Sequence, residues 1–146
     1  MKARTLLVAV SLAATLALAA SAFASISISN PRAAALLVKK MNTRAFGVVL
    51  ATLSNRALYY FTPEKQHPGT IRCTGSCAKV WPVLYVPACA SVAKKVPGFS
   101  GTFGTIRRPD GRRQLTYNRL PLYTYAHEGP KQVLCNNVNG WFVARV

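Results

Sequence analysis

From Ala45 onward the apolar and polar positions fall into short runs with a period near two, separated by Pro, Gly, Asn and Asp, which predicts strands and turns rather than long helices. Phe46 to Leu53 is rich in Val and Leu, Ser54-Asn55-Arg56 reads as a turn, and Ala57 to Thr62 is aromatic and extended. The two runs predict a hairpin whose second strand is ended by Pro63. His67 to Gly75 reads as a loop, and Cys77 to Trp81 is long enough for one helical turn. Pro82, Pro87 and Pro97 exclude a long helix between them. Thr102 to Arg107 and Gln114 to Asn118 flank Pro109-Asp110-Gly111, where Pro presets φ, Asp caps the turn and Gly accepts φ > 0. This segment is the clearest hairpin in the chain. Leu122 to Ala126 predicts a further strand, and Trp141 to Val146 closes the pattern as an apolar strand.

The N-terminal pattern is of another kind. Lys2 and Arg4 precede an uncharged apolar stretch from Leu6 to Ala20, and Ala22-Phe23-Ala24 supplies a small-x-small cleavage pattern. Residues 1–24 therefore read as a secretory signal peptide cut after Ala24. Thr5 to Ala24 is also about long enough to span a bilayer. Its Ala and Ser content and its cleavage pattern favour the signal. No Cys lies near the cut, so a soluble, non-lipidated product is expected, with no transmembrane segment after cleavage. Residues 25–44 read as a lead-in: Ser25 to Ser29 alternates Ser with Ile, Asn30-Pro31 breaks it, and Ala33 to Met41 is compatible with helix or strand. The remaining chain, Ser25 to Val146, has a length suited to one domain with one modest core.

An internal repeat is the most informative feature. Leu58-Tyr59-Tyr60-Phe61-Thr62-Pro63-Glu64 aligns without gaps on Leu122-Tyr123-Thr124-Tyr125-Ala126-His127-Glu128. Each copy reads Leu-Tyr-x-aromatic-x-x-Glu, follows an Asn-Arg pair (Asn55-Arg56 and Asn118-Arg119), and precedes a Cys (Cys73, Cys135) and then a Trp (Trp81, Trp141). The second half reads as a worn copy of the first. The expected fold is mainly β: two degenerate β-hairpin-based repeats, about 45–90 and about 100–146, packed face to face into one small domain over 45–146. A short helical turn is expected near Cys73-x-x-x-Cys77.

These residues resemble a known family. Leu58-Tyr59-Tyr60-Phe61-x-x-Glu64, then Cys73-Thr74-Gly75-Ser76-Cys77-Ala78-x-x-Trp81-Pro82-x-Leu84, then Asp110-Gly111-x-x-Gln114-x-Thr116-Tyr117-Asn118-x-x-Pro121-Leu122-Tyr123 are similar to the bacterial secreted-repeat proteins. That family is described as predicted lipoproteins with a Tyr-x-aromatic-x-x-Asp motif. The resemblance runs from about Phe46 to Val146 and implies the cell envelope and a β-rich fold, but no reaction. The chain departs from the pattern in three places: Glu64 and Glu128 stand for Asp, Arg119 stands for a turn Gly, and the lipidation Cys is missing.

Charge changes the picture next. The sequence carries 19 Lys and Arg against three acids, Glu64, Asp110 and Glu128. Removing Lys2 and Arg4 with the leader leaves 17 against three, a net charge of about +14. Such a surface attracts polyanions with a strong salt dependence. For an exported protein the expected partners are anionic envelope polymers or acidic lipids, with no specific nucleic acid. General solubility is the competing explanation. Arg107, Arg108, Arg112 and Arg113 cluster on both arms of the Pro-Asp-Gly hairpin and form the local candidate for a polyanion contact, because Arg binds phosphate or carboxylate bidentately.

The four cysteines, Cys73, Cys77, Cys89 and Cys135, read as disulfides in an exported chain. Three pairings are open; a Cys73–Cys77 bridge is geometrically possible and would leave Cys89 with Cys135. The rival is a metal or redox site that adds His67 and His127, although no paired zinc-ligand spacing and no Cys-x-x-Cys-His haem motif is present. No metal and no cofactor is expected. Tyr59, Phe61, Tyr123 and Tyr125 sit at i, i+2 positions and read as core packing, with an aromatic platform for sugars or bases as the alternative. Trp81 and Trp141 also read as core. Glu64 and Glu128 are the only plausible paired carboxylates for glycoside hydrolysis; the competing reading is solvated groups at strand ends. No nucleophile motif is present, so no catalytic residue is expected. The resulting expectation is an exported, basic, non-enzymatic envelope or secreted protein. A metal-binding or redox-linked protein is the first alternative, and a carbohydrate-active enzyme using Glu64 and Glu128 the second.

Overall fold

The computed structural model describes residues 37–146. The expected signal peptide over 1–24 and the expected lead-in up to residue 36 lie outside the described residues.

Strands β1 (Val38–Thr43) and β2 (Gly47–Thr52) pair antiparallel from Val38↔Thr52 to Thr43↔Gly47. This corrects the expected hairpin between Phe46–Leu53 and Ala57–Thr62. The Ala57 arm touches β2 only through the Ala51↔Ala57 bridge, with the Thr52 and Leu58 amides donating to the carbonyls of Arg56 and Leu50. β2 takes its long ladder from the lead-in because Val38 and Met41 supply the buried positions there, whereas the downstream arm has another partner.

That arm becomes β3 (Tyr59–Phe61), followed by a single-turn helix, α1 (Thr62–Gln66), in whose first turn Pro63 sits without cost. The expected helical turn at Cys77–Trp81 forms as α2 (Ser76–Val80). A short β4 (Tyr85–Val86) follows, then the predicted hairpin of β5 (Phe103–Arg107) and β6 (Arg113–Tyr117). Gly111 holds φ +80° at its turn. β7 (Leu120–Pro121) pairs back on β6 through a two-residue turn, Asn118-Arg119, with φ of 50° and 68°. Arg119 thus occupies the left-handed conformation that a glycine would adopt more easily. β8 (Trp141–Val143) closes the chain. The expected strand Leu122–Ala126 makes only isolated bridges, Tyr123 to Tyr59 and to Val83. Too few consecutive residues there share one partner to form a ladder.

Two strands cross between the halves of the chain. β8 pairs with β3, and β4 pairs with β6, which also carries β5 and β7. Where the halves meet, the Tyr59 amide donates to the Tyr123 carbonyl at 2.8 Å and the Tyr123 amide returns the bond to Tyr59 at 3.0 Å. On either side lie two rings of backbone bonds of the same pattern. Leu50 donates to Ala144, Ala144 to Leu58 and Leu58 to Leu50; Leu115 donates to Leu84, Leu84 to Leu122 and Leu122 to Leu115.

The expectation of one core is corrected to two clusters. Leu50, Leu58, Leu115 and Leu122 belong to the first, and Ala51, Tyr59, Tyr123, Trp81 and Trp141 to the second. Successive residues such as Leu58-Tyr59 and Leu122-Tyr123 are both buried, so these extended segments are covered on both faces.

Candidate functional site

The repeated motif assembles around the Tyr59–Tyr123 bridge. Trp81 and Trp141 stack at its centre, 3.8 Å between ring centroids and 8° from parallel. Tyr59 meets Trp81 edge-on at 5.4 Å, and Tyr123 meets Trp141 in the same way at 5.1 Å. Phe61 stacks on Trp141 at 4.6 Å, and Tyr125 meets Trp81 at 4.8 Å with the rings tilted by 34°. Tyr59 and Tyr123 are fully buried and Phe61 and Tyr125 partly so, which makes these rings packing groups.

The glutamates are interior as well. Glu64 is 0% and Glu128 3% exposed, which corrects both sequence readings, a cleft pair and solvated strand-end groups. Each accepts the hydroxyl of the other copy's tyrosine: Tyr123 donates to Glu64 at 2.8 Å, and Tyr59 donates to Glu128. The amides of Arg72 and Cys73 complete Glu64 at 2.8 and 3.1 Å. Glu128 receives the Leu134 amide at 2.9 Å on the oxygen that Tyr59 already uses, and its other oxygen is buried without a partner. Burial therefore raises the Glu128 carboxyl above its ordinary range, opposed by the Tyr59 hydrogen bond. Burial first, and the facing carboxylate second, push both tyrosine hydroxyls far above theirs.

These contacts place the Tyr-x-aromatic-x-x-Glu motif at the structural centre, and the first copy with its Cys and Trp is what a family comparison finds. Residues 40–85 match the model of a secreted repeat of unknown function. No curated protein and no solved structure matches the chain. The matched segment thus holds Tyr59, Glu64 and Trp81, while the groups that complete them, Tyr123, Glu128 and Trp141, lie beyond it.

Cys73 and Cys77, both within the matched segment, form a disulfide across the start of α2, with Cα atoms 5.2 Å apart. The second expected disulfide is not formed: Cys89 is an exposed thiol and Cys135 a buried one. The loop bearing Cys89 is held elsewhere, because Arg113 donates to the carbonyls of Pro87, Ala88 and Ala90. Burial raises the Cys135 thiol. Among the described residues no three of His, Cys, Asp and Glu gather into a metal-ligand set, and no helix is long and apolar enough to cross a membrane.

The four hairpin arginines separate. Arg108 turns inward and is 6% exposed, donating to Gln114 at 2.6 Å and to the Cys73 carbonyl at 2.7 Å, so it leaves the proposed polyanion contact. The sequence alternation could not show this, since a buried guanidinium depends on acceptors that come from distant loops. Arg107, Arg112 and Arg113 remain together. With Tyr85, Pro87, Ala88 and Gly111 they line a cavity of about 520 Å³. Arg112 stacks over Tyr85 with its guanidinium 3.7 Å from the ring centroid and pairs with Asp110 at 2.9 Å. Asp110 is held below the ordinary carboxylate range, first by the Arg112 amide and then by its side chain. Arg107 donates to the Gly111 carbonyl at 3.0 Å. Arg107 and Arg113 are fixed by carbonyls that carry no charge to cancel theirs, whereas Arg112 is paired with Asp110.

Two half-buried aromatics, Tyr60 and Phe142, lie outside the sequence reading, and Tyr60 packs in part against the first cluster. Tyr60 and Phe142 face each other across the β3–β8 ladder on the side opposite Tyr59 and Phe61. Their rings lie 5.8 Å apart and 17° from parallel, both half-buried. The period-two alternation held the signal, because Tyr60 falls between two inward positions.

Proposed function

We propose that this chain is an exported, non-enzymatic binding protein of the cell envelope or extracellular space that associates with anionic polymers through its surface charge. The carrying observation is where the carboxylates go. All three Asp and Glu of the sequence lie among the described residues, two in the interior and Asp110 against Arg112. No side-chain carboxylate is left to pair with the exposed Lys40, Arg44, Lys65, Lys79, Arg119 and Lys131. Such a surface keeps an unscreened positive potential at low ionic strength. The cavity lined by Arg107, Arg112 and Arg113 gathers three guanidinium groups against one carboxylate, Asp110, and it suits a phosphate or carboxylate group.

The non-enzymatic reading is supported by the burial of Glu64 and Glu128, whose oxygens, apart from Oε1 of Glu128, meet protein donors in place of a substrate. Retention on a dextran sulfate column tests the binding. The expected result is strong retention that falls steeply with added NaCl, and earlier elution of the Arg107→Gln, Arg112→Gln, Arg113→Gln variant. Passage of the unmodified protein without retention at about 0.02 M salt, where the screening length exceeds 20 Å, overturns the reading.

A further inference from the structure

We infer a saccharide-binding groove on the Tyr60–Phe142 side of the β3–β8 ladder, built on these two half-buried rings and suited to a glycan chain that carries carboxylates. Two cavities, of about 440 and 70 Å³, are both lined by Tyr60 and Arg145. Asn136, Asn137 and Phe142 complete the first, and Asn118 with Tyr117 line the second. A pyranose ring has a face of C–H bonds that packs on the electron-rich face of an aromatic ring, and an edge of hydroxyls that asks for paired donors and acceptors. The two rings supply the first, and the Asn137 amide with the NH₂ groups of Asn136 and Asn118, whose carbonyls accept the Val143 and Thr102 amides, supplies the second. Asn136 is held in place because its Oδ1 accepts the Val143 amide at 3.2 Å, and Asn137 takes φ 61°, a conformation Asn tolerates.

Charge narrows the class. Arg145 is exposed at the junction of the cavities and Lys65 lies 5.7 Å from the Tyr60 ring centroid, with none of the three carboxylates among the lining residues. A guanidinium at that junction suits the carboxylate of a uronate unit. Tyr60 also packs in part against the first cluster, yet the second half shows the same position filled without a ring. In the other half of the chain Thr124 donates its amide to Pro82 at the place that corresponds to Tyr60 and Phe142, and that half packs without either ring. The groove is therefore a feature of one half.

The groove is separate from the arginine cavity and stands or falls without it. Titration of the full protein with hexagalacturonate, followed by amide NMR shifts, tests it in about 0.5 M NaCl, where exposed charges are screened within several Å. Shifts centred on Tyr60, Asn136, Asn137, Phe142 and Arg145 are expected, with affinity at least tenfold weaker in Tyr60→Leu and Phe142→Leu. Tyr60→Thr, which copies the residue of the other half, keeps the spectrum of a folded protein and loses the binding. Equal binding by wild type and these variants, or tighter binding of hexathymidylate at the same residues, overturns the groove. Loss of all hexagalacturonate binding in high salt overturns it too, while retention on dextran sulfate at low salt leaves the charge-based function standing.

Discussion

A carboxylate leaves water only where protein donors replace its hydration, and Glu64 and Glu128 differ in how fully that is done. Glu64 accepts two amides and a hydroxyl, whereas one oxygen of Glu128 is buried with no partner. Burial raises the Glu128 carboxyl, so the folded state holds that proton more tightly than the unfolded chain does. The stabilising contribution is complete below the unfolded value of about 4.3 and is lost as pH rises through the raised folded value. Asp110, held low, has the opposite sign, but its exposed position makes its share small. Urea unfolding at steps from pH 4 to 8 is expected to show declining stability for the wild type and a flatter profile for Glu128→Gln. Tyr59→Phe removes a bond to the ionised form and deepens the neutral-pH loss by about 1–3 kcal/mol. An unchanged slope in Glu128→Gln contradicts the assignment. The motif itself was legible, since both copies of Leu-Tyr-x-aromatic-x-x-Glu stand out in the chain. The burial of its glutamates was not, because their amide donors come from loops at Arg72, Cys73 and Leu134 that carry no periodic signal.

The elements around the cysteines differ between the halves. α2 brings Cys77 back onto Cys73, whose amide holds Glu64 and whose carbonyl accepts Arg108, so one disulfide fixes a loop that two interior charged groups depend on. In the other half Asn137 stands four residues before Trp141, where Cys77 stands before Trp81, and Cys135 has no counterpart to bond. An even count of cysteines argues for two disulfides; the missing information was that the Cys89 loop is tied to Arg113 and lies apart from a buried thiol. Iodoacetamide should label native protein once, at Cys89. Unfolding in urea should add a label at Cys135, and prior reduction should add two more. Absence of any label on unfolded, unreduced protein places Cys89 and Cys135 in a bond and removes this account. Closing a loop this short contributes about 2 kcal/mol, and the Cys73→Ser, Cys77→Ser variant should lose a similar amount in urea unfolding. The β5–β6 hairpin, with Pro109-Asp110-Gly111 at its turn, was legible in full because its signals are local. The β1–β2 pairing was not, since lead-in and downstream arm are equally near in sequence and only the capture of β3 by β8 decides between them.

At the scale of the molecule, neither half contains its own complement. β4 from the first half lies on β6 of the second, β8 from the second lies on β3 of the first, and each tyrosine hydroxyl serves the other half's carboxylate. The Trp81–Trp141 stack and the Tyr59–Tyr123 backbone pair are shared equally. This exchange makes each half the complement of the other. Its energetic consequence is strict cooperativity: an isolated half would expose the stacked indole and bury a carboxylate with no hydroxyl facing it. Peptides covering 37–97 and 98–146 are therefore expected to be unfolded singly by circular dichroism. An equimolar mixture is expected to regain the β spectrum and the aromatic near-ultraviolet bands of the intact protein. The partners carrying Tyr59→Phe and Tyr123→Phe together should associate about 100-fold more weakly, since each lost bond to a buried carboxylate costs about 1–3 kcal/mol and 1.4 kcal/mol is a factor of ten. A half that folds by itself with native aromatic bands would mean that the contacts crossing the centre follow from each unit's own fold, and the reciprocal tyrosine–glutamate exchange would then be a consequence of assembly instead of its cause.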